Sequence, residues 1–166
     1  MDSAKSACQI RSATTNDAPK IWRLVHDSGV LDPNSAYLYL LLCRDFADTC
    51  LVAYQDDSLA GFVTGYRLPT DTSVLFVWQV GVAQNAQRQG IASTLLNELL
   101  QRCDPATLSA IEATVAPSNS ASRSLFESLA RKFNVPLIDV PSEGFTKSDF
   151  PPGDHEDEPR IRINLV

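Results

Sequence analysis

The residues with the clearest chemical use lie between Val80 and Ala92. An apolar strand there runs into the polar loop Asn85-Ala86-Gln87-Arg88-Gln89, and Gly90-Ile91-Ala92 opens a helix. The first amides of a helix lack partners within it and carry the positive end of its dipole, so this junction suits an anion such as a pyrophosphate. Small residues at Gly90 and Ala92 let a phosphate approach the backbone, and Arg88 adds charge. An ordinary strand-to-helix connection has the same appearance. The Gly-rich dinucleotide fingerprint and the Walker loop are both absent from the sequence.

Other candidates are scattered along the chain. Glu112 and Thr114 share one face of a strand, because side chains alternate along it, and a charge among apolar neighbours needs a partner. Glu112 could as well be half of a salt bridge on an exposed strand face. Asp32, in the Asp32-Pro33-Asn34 turn, could pair with an ammonium or only hold the turn. Tyr37 or Tyr39 could orient a ligand by hydrogen bond; the two cannot share a helix face, so one belongs to the core. Trp78 offers a ring face to a cation and an indole N–H, or else simply packs in the core. His155, Glu156 and Glu158 lie in a late acidic stretch, where charge runs are usually solvated. His26 and His155 are the only histidines and have no second ligand at useful spacing, so no metal is expected.

The elements that must position these residues follow from periodicity and turn chemistry. Gln9 to Ser12 reads as a strand, with Thr14 to Asp17 as capping candidates for a helix that stops at Gly29. Ser35 caps a second helix running to about Ala47. Cys50 to Tyr54 and Leu59 to Leu68 form a hairpin, a second hairpin turns at Pro69 to Ser73, and Val74 to Val82 is apolar enough to be covered on both faces. A helix from near Gly90 carries Ile91, Leu95, Leu96, Leu99 and Cys103 on one stripe. Ala110 to Val115 is a strand, and Pro117-Ser118-Asn119 leads into a helix with Leu125, Phe126, Leu129 and Phe133 inward. Val135 to Val140 and Arg160 to Val166 can each be a closing strand, with Pro141 to Pro159 a long functional loop between them. The order βααβββαβαβ implies an α/β (α+β) fold, a mixed sheet flanked by helices.

Composition bounds the rest. With 166 residues, 44% of them apolar, residues 1–166 fit one domain that needs neither disulfides nor a structural metal. A net charge of −6 argues against nucleic acid as the partner and favours a cationic substrate. None of the four cysteines forms a Cys-x-x-Cys pair. The N-terminus, with Asp2, Lys5 and Arg11, is not a signal peptide, and the longest apolar run, Leu38 to Cys43, is too short to span a bilayer. The expectation is a cytoplasmic protein with no membrane partner.

Gln87-x-x-Gly90-x-Ala92 after an apolar strand resembles the acetyl-CoA signature of the GCN5-related N-acetyltransferases, the GNAT superfamily. Asn119, Ser122, Leu125 and Phe126 resemble its second cofactor segment. Longer strings, Leu31 to Cys43, Phe46 to Cys50, Leu75 to Val80, Thr114 to Asn119 and His155-Glu156, resemble one branch, the L-2,4-diaminobutyrate acetyltransferases of ectoine biosynthesis. The resemblance implies the GNAT fold and acetyl-CoA as co-substrate. It places the cofactor against the backbone of Gln87, Arg88, Gln89, Gly90, Ile91 and Ala92, beside Asn119, Ser122 and Phe126. The pantetheine arm pairs near Val80 and Val82, where the strand ending at Val82 splays from the one holding Glu112.

The implied reaction moves acetyl to the γ-amino group of L-2,4-diaminobutyrate, on the way to the osmoprotectant ectoine. A γ-ammonium must lose a proton before it attacks, and Glu112 is the expected acceptor, with Tyr37 the weaker candidate. Asp32, Tyr37, Tyr39, Trp78 and Thr114 would line the acceptor site, with His155, Glu156 and Glu158 supplied within or across a homodimer. Many members carry a Tyr that protonates the CoA thiolate where this chain has Phe126, and a thiolate can leave unassisted or take a proton from water. The alternatives are another small amine or a protein N-terminus as acceptor, or a non-catalytic acetyl-CoA-binding module.

Overall fold

Capped amphipathic stretches form the helices, and runs rich in β-branched and aromatic residues between turns form the strands. The computed structural model describes residues 7–166; Asp2 and Lys5 lie outside the described residues. In order come β1 (Gln9–Ser12), α1 (Ala18–Ser28), α2 (Ala36–Asp45), β2 (Cys50–Gln55), β3 (Ser58–Leu68) and β4 (Asp71–Val82). Then follow α3 (Ile91–Arg102), β5 (Ala110–Thr114), α4 (Ser120–Lys132), β6 (Leu137–Phe145) and β7 (Glu158–Asn164).

The strands hydrogen-bond in the order β1-β2-β3-β4-β5-β7-β6. The β4–β5 pair is parallel, whereas β1–β2, β2–β3, β5–β7 and β6–β7 are antiparallel, so the sheet is mixed as the sequence implies. Two expectations need correction. The order βααβββαβαβ is one strand short, because both closing segments form strands after α4. The loop expected over residues 141–159 is shorter, since β6 continues to Phe145 and β7 begins at Glu158. Pro141 is tolerated inside β6 because β6 is the edge strand and its register with β7 shifts between Val140 and Phe145.

The chain divides into two compact units. The first takes in the residues up to Tyr66 together with Gln79–Pro105. In it α1 packs on α2 and α3 on β2, around the buried side chains of Ile21, Val25, Tyr39, Leu51, Phe62, Leu95 and Leu99. Ser35 caps α2 by accepting from Leu38 N. Asp17 begins α1 without capping it, because its carboxylate turns to Arg11 Nη1 (2.7 Å) and Nη2 (2.8 Å), Thr14 N (2.8 Å) and Tyr54 Oη (2.7 Å). Burial opposes the charge of that carboxylate, but the Arg11, Thr14 and Tyr54 donors outweigh it and hold the carboxyl far below the usual range. The same burial, with Asp17 alongside, pushes the Tyr54 phenol up to about 12.

The second unit comprises Arg67–Trp78 and Ala106–Val166. Leu75, Ile111, Ile161 and Ile163 are buried in its strands, and α4, which packs on β6, buries Phe126 and Leu129. The parallel pairing of β4 with β5 covers Val74, Leu75 and Phe76 opposite Ala110, Ile111 and Glu112, while β4 itself continues to Val82. Gly144 lies where β6 crosses closest to β7: a Cβ there would stand 2.6 Å from Arg160 N and 2.7 Å from Pro159 Cα, and would strike Glu158 O.

All four cysteines are free thiols, and burial lifts Cys43 to about 11 and Cys50 to about 12, which keeps both as inert thiols. Among the described residues no helix is long and apolar enough to cross a membrane.

Candidate active site

In the first unit, β4 ends at Val82 and the chain turns through residues 84–86 toward α3. Ala83 N donates to Ala60 O (2.8 Å) and Ala86 is buried, so the base of the loop is fixed while Gln87, Arg88, Gln89 and Gly90 remain exposed. Gln55 Nε2 donates to Gln89 Oε1 at 2.8 Å and ties the loop to β2. Arg88 (φ 62°) and Gly90 (φ 74°) both adopt the left-handed conformation, uncommon for arginine and easy for glycine. Gly90 precedes α3 without a side-chain cap, so the first amides of α3 keep their hydrogen-bonding capacity for a ligand.

A Cβ on Gly90 would meet nothing within 4 Å. The protein itself therefore requires the positive φ of this glycine, not its small size. Ile91 is 5% exposed, so it offers a ligand only its backbone, whereas Ala92, Val80 and Val82 are half-buried.

The same unit holds Asp32, Tyr37 and Tyr39. Tyr39 is the core tyrosine, fully buried, and Tyr37 on the opposite face of α2 is 67% exposed. Tyr39 Oη donates to Gln79 Oε1 (2.8 Å), Gln79 Nε2 donates to Asp32 O (3.3 Å) and Asn34 Nδ2 donates to the same carbonyl (2.8 Å). Trp22 Nε1 donates to Asn34 O at 3.0 Å. The turn between α1 and α2 is thus fixed through its backbone, and the exposed Asp32 carboxylate makes no hydrogen bond or ion pair among the described residues. An exposed carboxylate on a backbone held in this way can receive an ammonium.

In the second unit, Glu112 stands opposite Arg162 and Thr114 opposite Arg160 in the β5–β7 ladder, so these side chains share one face. Glu112 is only 2% exposed, and it accepts from Arg160 Nη1 (2.7 Å) and from Arg162 Nη1. The Arg160 guanidinium also lies 5.5 Å from the centre of the Phe76 ring, and Trp78, two residues along β4, alternates onto the same side as Phe76. A salt bridge therefore exists at Glu112, but on a buried strand face, not an exposed one.

Asn119 Oδ1 accepts from Ser122 N (3.1 Å) and caps α4, and Phe126 on that helix is 4% exposed. His155 stacks on Phe150 with ring centres 4.5 Å apart, Glu156 accepts from Ser118 Oγ just before α4, and Glu158 opens β7 opposite Phe145.

Gln79, Arg160 and Arg162 escaped the sequence reading. Gln79 had a signal, a polar residue within the apolar run Val74 to Val82, which is rarely buried without a partner. Arg160 and Arg162 had another, two arginines alternating with Ile161 and Ile163 and hence on one strand face.

Residues 15–130 match the acetyltransferase (GNAT) family. The chain is 44% identical over 154 residues to an L-2,4-diaminobutyric acid acetyltransferase of Halalkalibacterium halodurans, covering 93% of this chain and 80% of that one. A protein of the same name from Marinococcus halophilus is 44% identical over 150 residues, 90% of this chain and 86% of that one. The structure of the diaminobutyrate acetyltransferase of Paenibacillus lautus, in complex with its substrate L-2,4-diaminobutyric acid and coenzyme A, superposes with a TM-score of 0.90 at 39% identity, over 96% of each chain. The exposed, uncapped opening of α3 and the Gln87-x-x-Gly90-x-Ala92 segment thus lie in a chain that belongs to the acetyltransferase (GNAT) family, in the branch of the L-2,4-diaminobutyric acid acetyltransferases.

Proposed function

We propose that the protein transfers acetyl from acetyl-CoA to the γ-amino group of L-2,4-diaminobutyrate, giving the Nγ-acetyl product that is cyclised to the osmoprotectant ectoine. The observation that carries this reading is the pairing, within one unit, of an open helix N-terminus after β4 with the unengaged carboxylate of Asp32. The first suits the pyrophosphate of the cofactor and the second an ammonium group of the substrate. Val80, Val82, Gln87 to Ala92, Asn119, Ser122 and Phe126 are the proposed cofactor residues. Asp32, Tyr37, Trp78 and Thr114 are the proposed acceptor residues, with Tyr39 acting behind Asp32 through Gln79.

In the reaction the neutral γ-amine attacks the thioester carbonyl and forms the C–N bond, the C–S bond breaks, the CoA thiolate leaves, and the surplus proton on nitrogen passes to water or to the departing thiolate. Phe126 has no hydroxyl, so the thiolate departs without an acid from that position. Glu112 is buried and accepts from a guanidinium on each oxygen, an arrangement that suits a brace for the two arginines. We therefore propose that Glu112 holds Arg160 and Arg162 in place and that the γ-ammonium loses its proton to water. Free thiols throughout and a net charge of −6 support a reducing cytoplasm and a cationic substrate.

Mass-spectrometric analysis of a mixture of diaminobutyrate, ornithine, lysine and a peptide tests the reading. A single acetyl on the γ-nitrogen of diaminobutyrate is expected, with ornithine poorer by about tenfold or more, since one methylene is worth about 1–3 kcal/mol. Acetylation of the peptide alone, or of the α-nitrogen, overturns it.

A further inference from the structure

Three charged side chains crowd one face of the second unit. Glu112, Arg160 and Arg162 are 2%, 19% and 30% exposed, so two guanidiniums share one buried carboxylate. A charge so placed is costly unless an anion meets it. Asp71, which accepts from Ser73 Oγ (2.6 Å), also attracts Arg162, whereas Asp139 is paired with Arg123 Nη1 (2.8 Å).

Arg160 is the less satisfied of the two arginines. Its hydrogen bond among the described residues goes to Glu112, and its Nε is buried without any acceptor. Arg162, by contrast, also donates from Nε to Asn164 Oδ1 at 2.7 Å. A donor left over in an otherwise ordered network is hydrogen-bonding capacity an anionic ligand can use. Two guanidiniums displayed side by side from alternate positions of one strand fit a carboxylate, which takes parallel N–H bonds from planar forks.

We propose that Arg160 and Arg162, braced by Glu112, receive the α-carboxylate of the acceptor amino acid. This rests on the reading of the protein as a diaminobutyrate acetyltransferase and names the group that fixes which end of the substrate is held. An α-carboxylate held by these arginines distinguishes an amino acid from a simple diamine. Glu112 is then a positioning residue, and its two ion pairs set the spacing of the arginines.

The test compares L-2,4-diaminobutyrate with 1,3-diaminopropane, the same chain without the carboxylate, in the unaltered protein and in Arg160→Gln, Arg162→Gln and Arg160→Lys. The unaltered protein is expected to prefer the amino acid in kcat/KM by about 100-fold or more, because a site built for a polar group rejects the analogue lacking it. Each Gln variant should cut that preference by about tenfold or more, mainly through KM for the amino acid, and Arg160→Lys should restore part of it. Calorimetric affinity for coenzyme A reports whether each variant is folded. No preference in the unaltered protein overturns the proposal without any variant, and so does a preference that survives in folded Gln variants. Should neither compound be acetylated, the functional reading falls, and calorimetric binding of the two compounds still decides the carboxylate receptor: equal affinities overturn it, and tighter binding of the amino acid that is lost in the Gln variants sustains it.

Discussion

Tyr39 and Gln79, 40 residues apart, are joined by a hydrogen bond of 2.8 Å in the buried part of the first unit. Gln79 in turn donates to the backbone carbonyl of Asp32, so a core tyrosine helps hold the turn that carries an exposed carboxylate. Tyr39→Phe keeps the ring but leaves Gln79 Oε1 without its donor, a loss of about 1–3 kcal/mol for a buried acceptor. Urea denaturation should show that loss, and KM for diaminobutyrate should rise more than KM for acetyl-CoA. A Tyr39→Phe, Gln79→Leu double variant, in which both polar partners are gone, should recover part of the stability.

Asp17 predicts how the fold meets acid. Its folded carboxyl titrates below the roughly 3.9 of an unfolded aspartate, so its contribution is complete above that value and is lost as pH falls through the folded value. Asp17→Asn should reduce stability at pH 7 by about 1.5–3 kcal/mol, the worth of hydrogen bonds to a charged group. Unfolding free energies at pH 7 and pH 3 should differ less in the variant than in the parent, and an unchanged acid slope would place the sensitivity elsewhere.

Gly90 separates backbone strain from ligand contact. Gly90→Ala and Gly90→Val both force a β-carbon into the left-handed region at a cost of about 1–2 kcal/mol, whereas Asn visits that region readily. Gly90→Asn should therefore keep thermal stability near the parent value while weakening calorimetric coenzyme A binding by about tenfold or more, because its side chain enters space the protein leaves open. Full affinity in Gly90→Asn would show that no phosphate comes close to this glycine.

Glu112→Gln distinguishes a brace from a base. A brace predicts a raised KM for diaminobutyrate with the parental pH–rate profile. A general base predicts a fall in kcat of about 10²–10⁴-fold and a lost acidic limb. The first outcome is expected, because both carboxylate oxygens already accept from arginines.

Local chemistry was readable in the sequence and distant chemistry was not. Ser35 as a cap, the turn around Asp56 and the opening of α3 after Gly90 all follow from residues within a few positions of one another. The partners of Glu112 lie 48 and 50 residues further along the chain, and only the β5–β7 register brings them opposite. The Pro, Gly and acidic composition after Val140 reads as loop, yet an edge strand has one side without a ladder and can hold Pro141 there. Asp17 looked like a helix cap, and the long-range donors Arg11 and Tyr54 claimed its carboxylate instead.

The close crossing at Gly144 bears on how this gene can vary. With backbone where a side chain would be, β6 holds β7 against sliding at Pro159 and Arg160. Loss or gain of a single codon just before Arg160 would move β7 by one place, swapping its two faces. Arg160 and Arg162 would turn toward the side now filled by Ile161 and Ile163, and the isoleucines would face Glu112. Length changes should therefore be tolerated in residues 150–156, before β7 begins, and be purged between Glu158 and Arg162, even where the replaced residues are chemically mild.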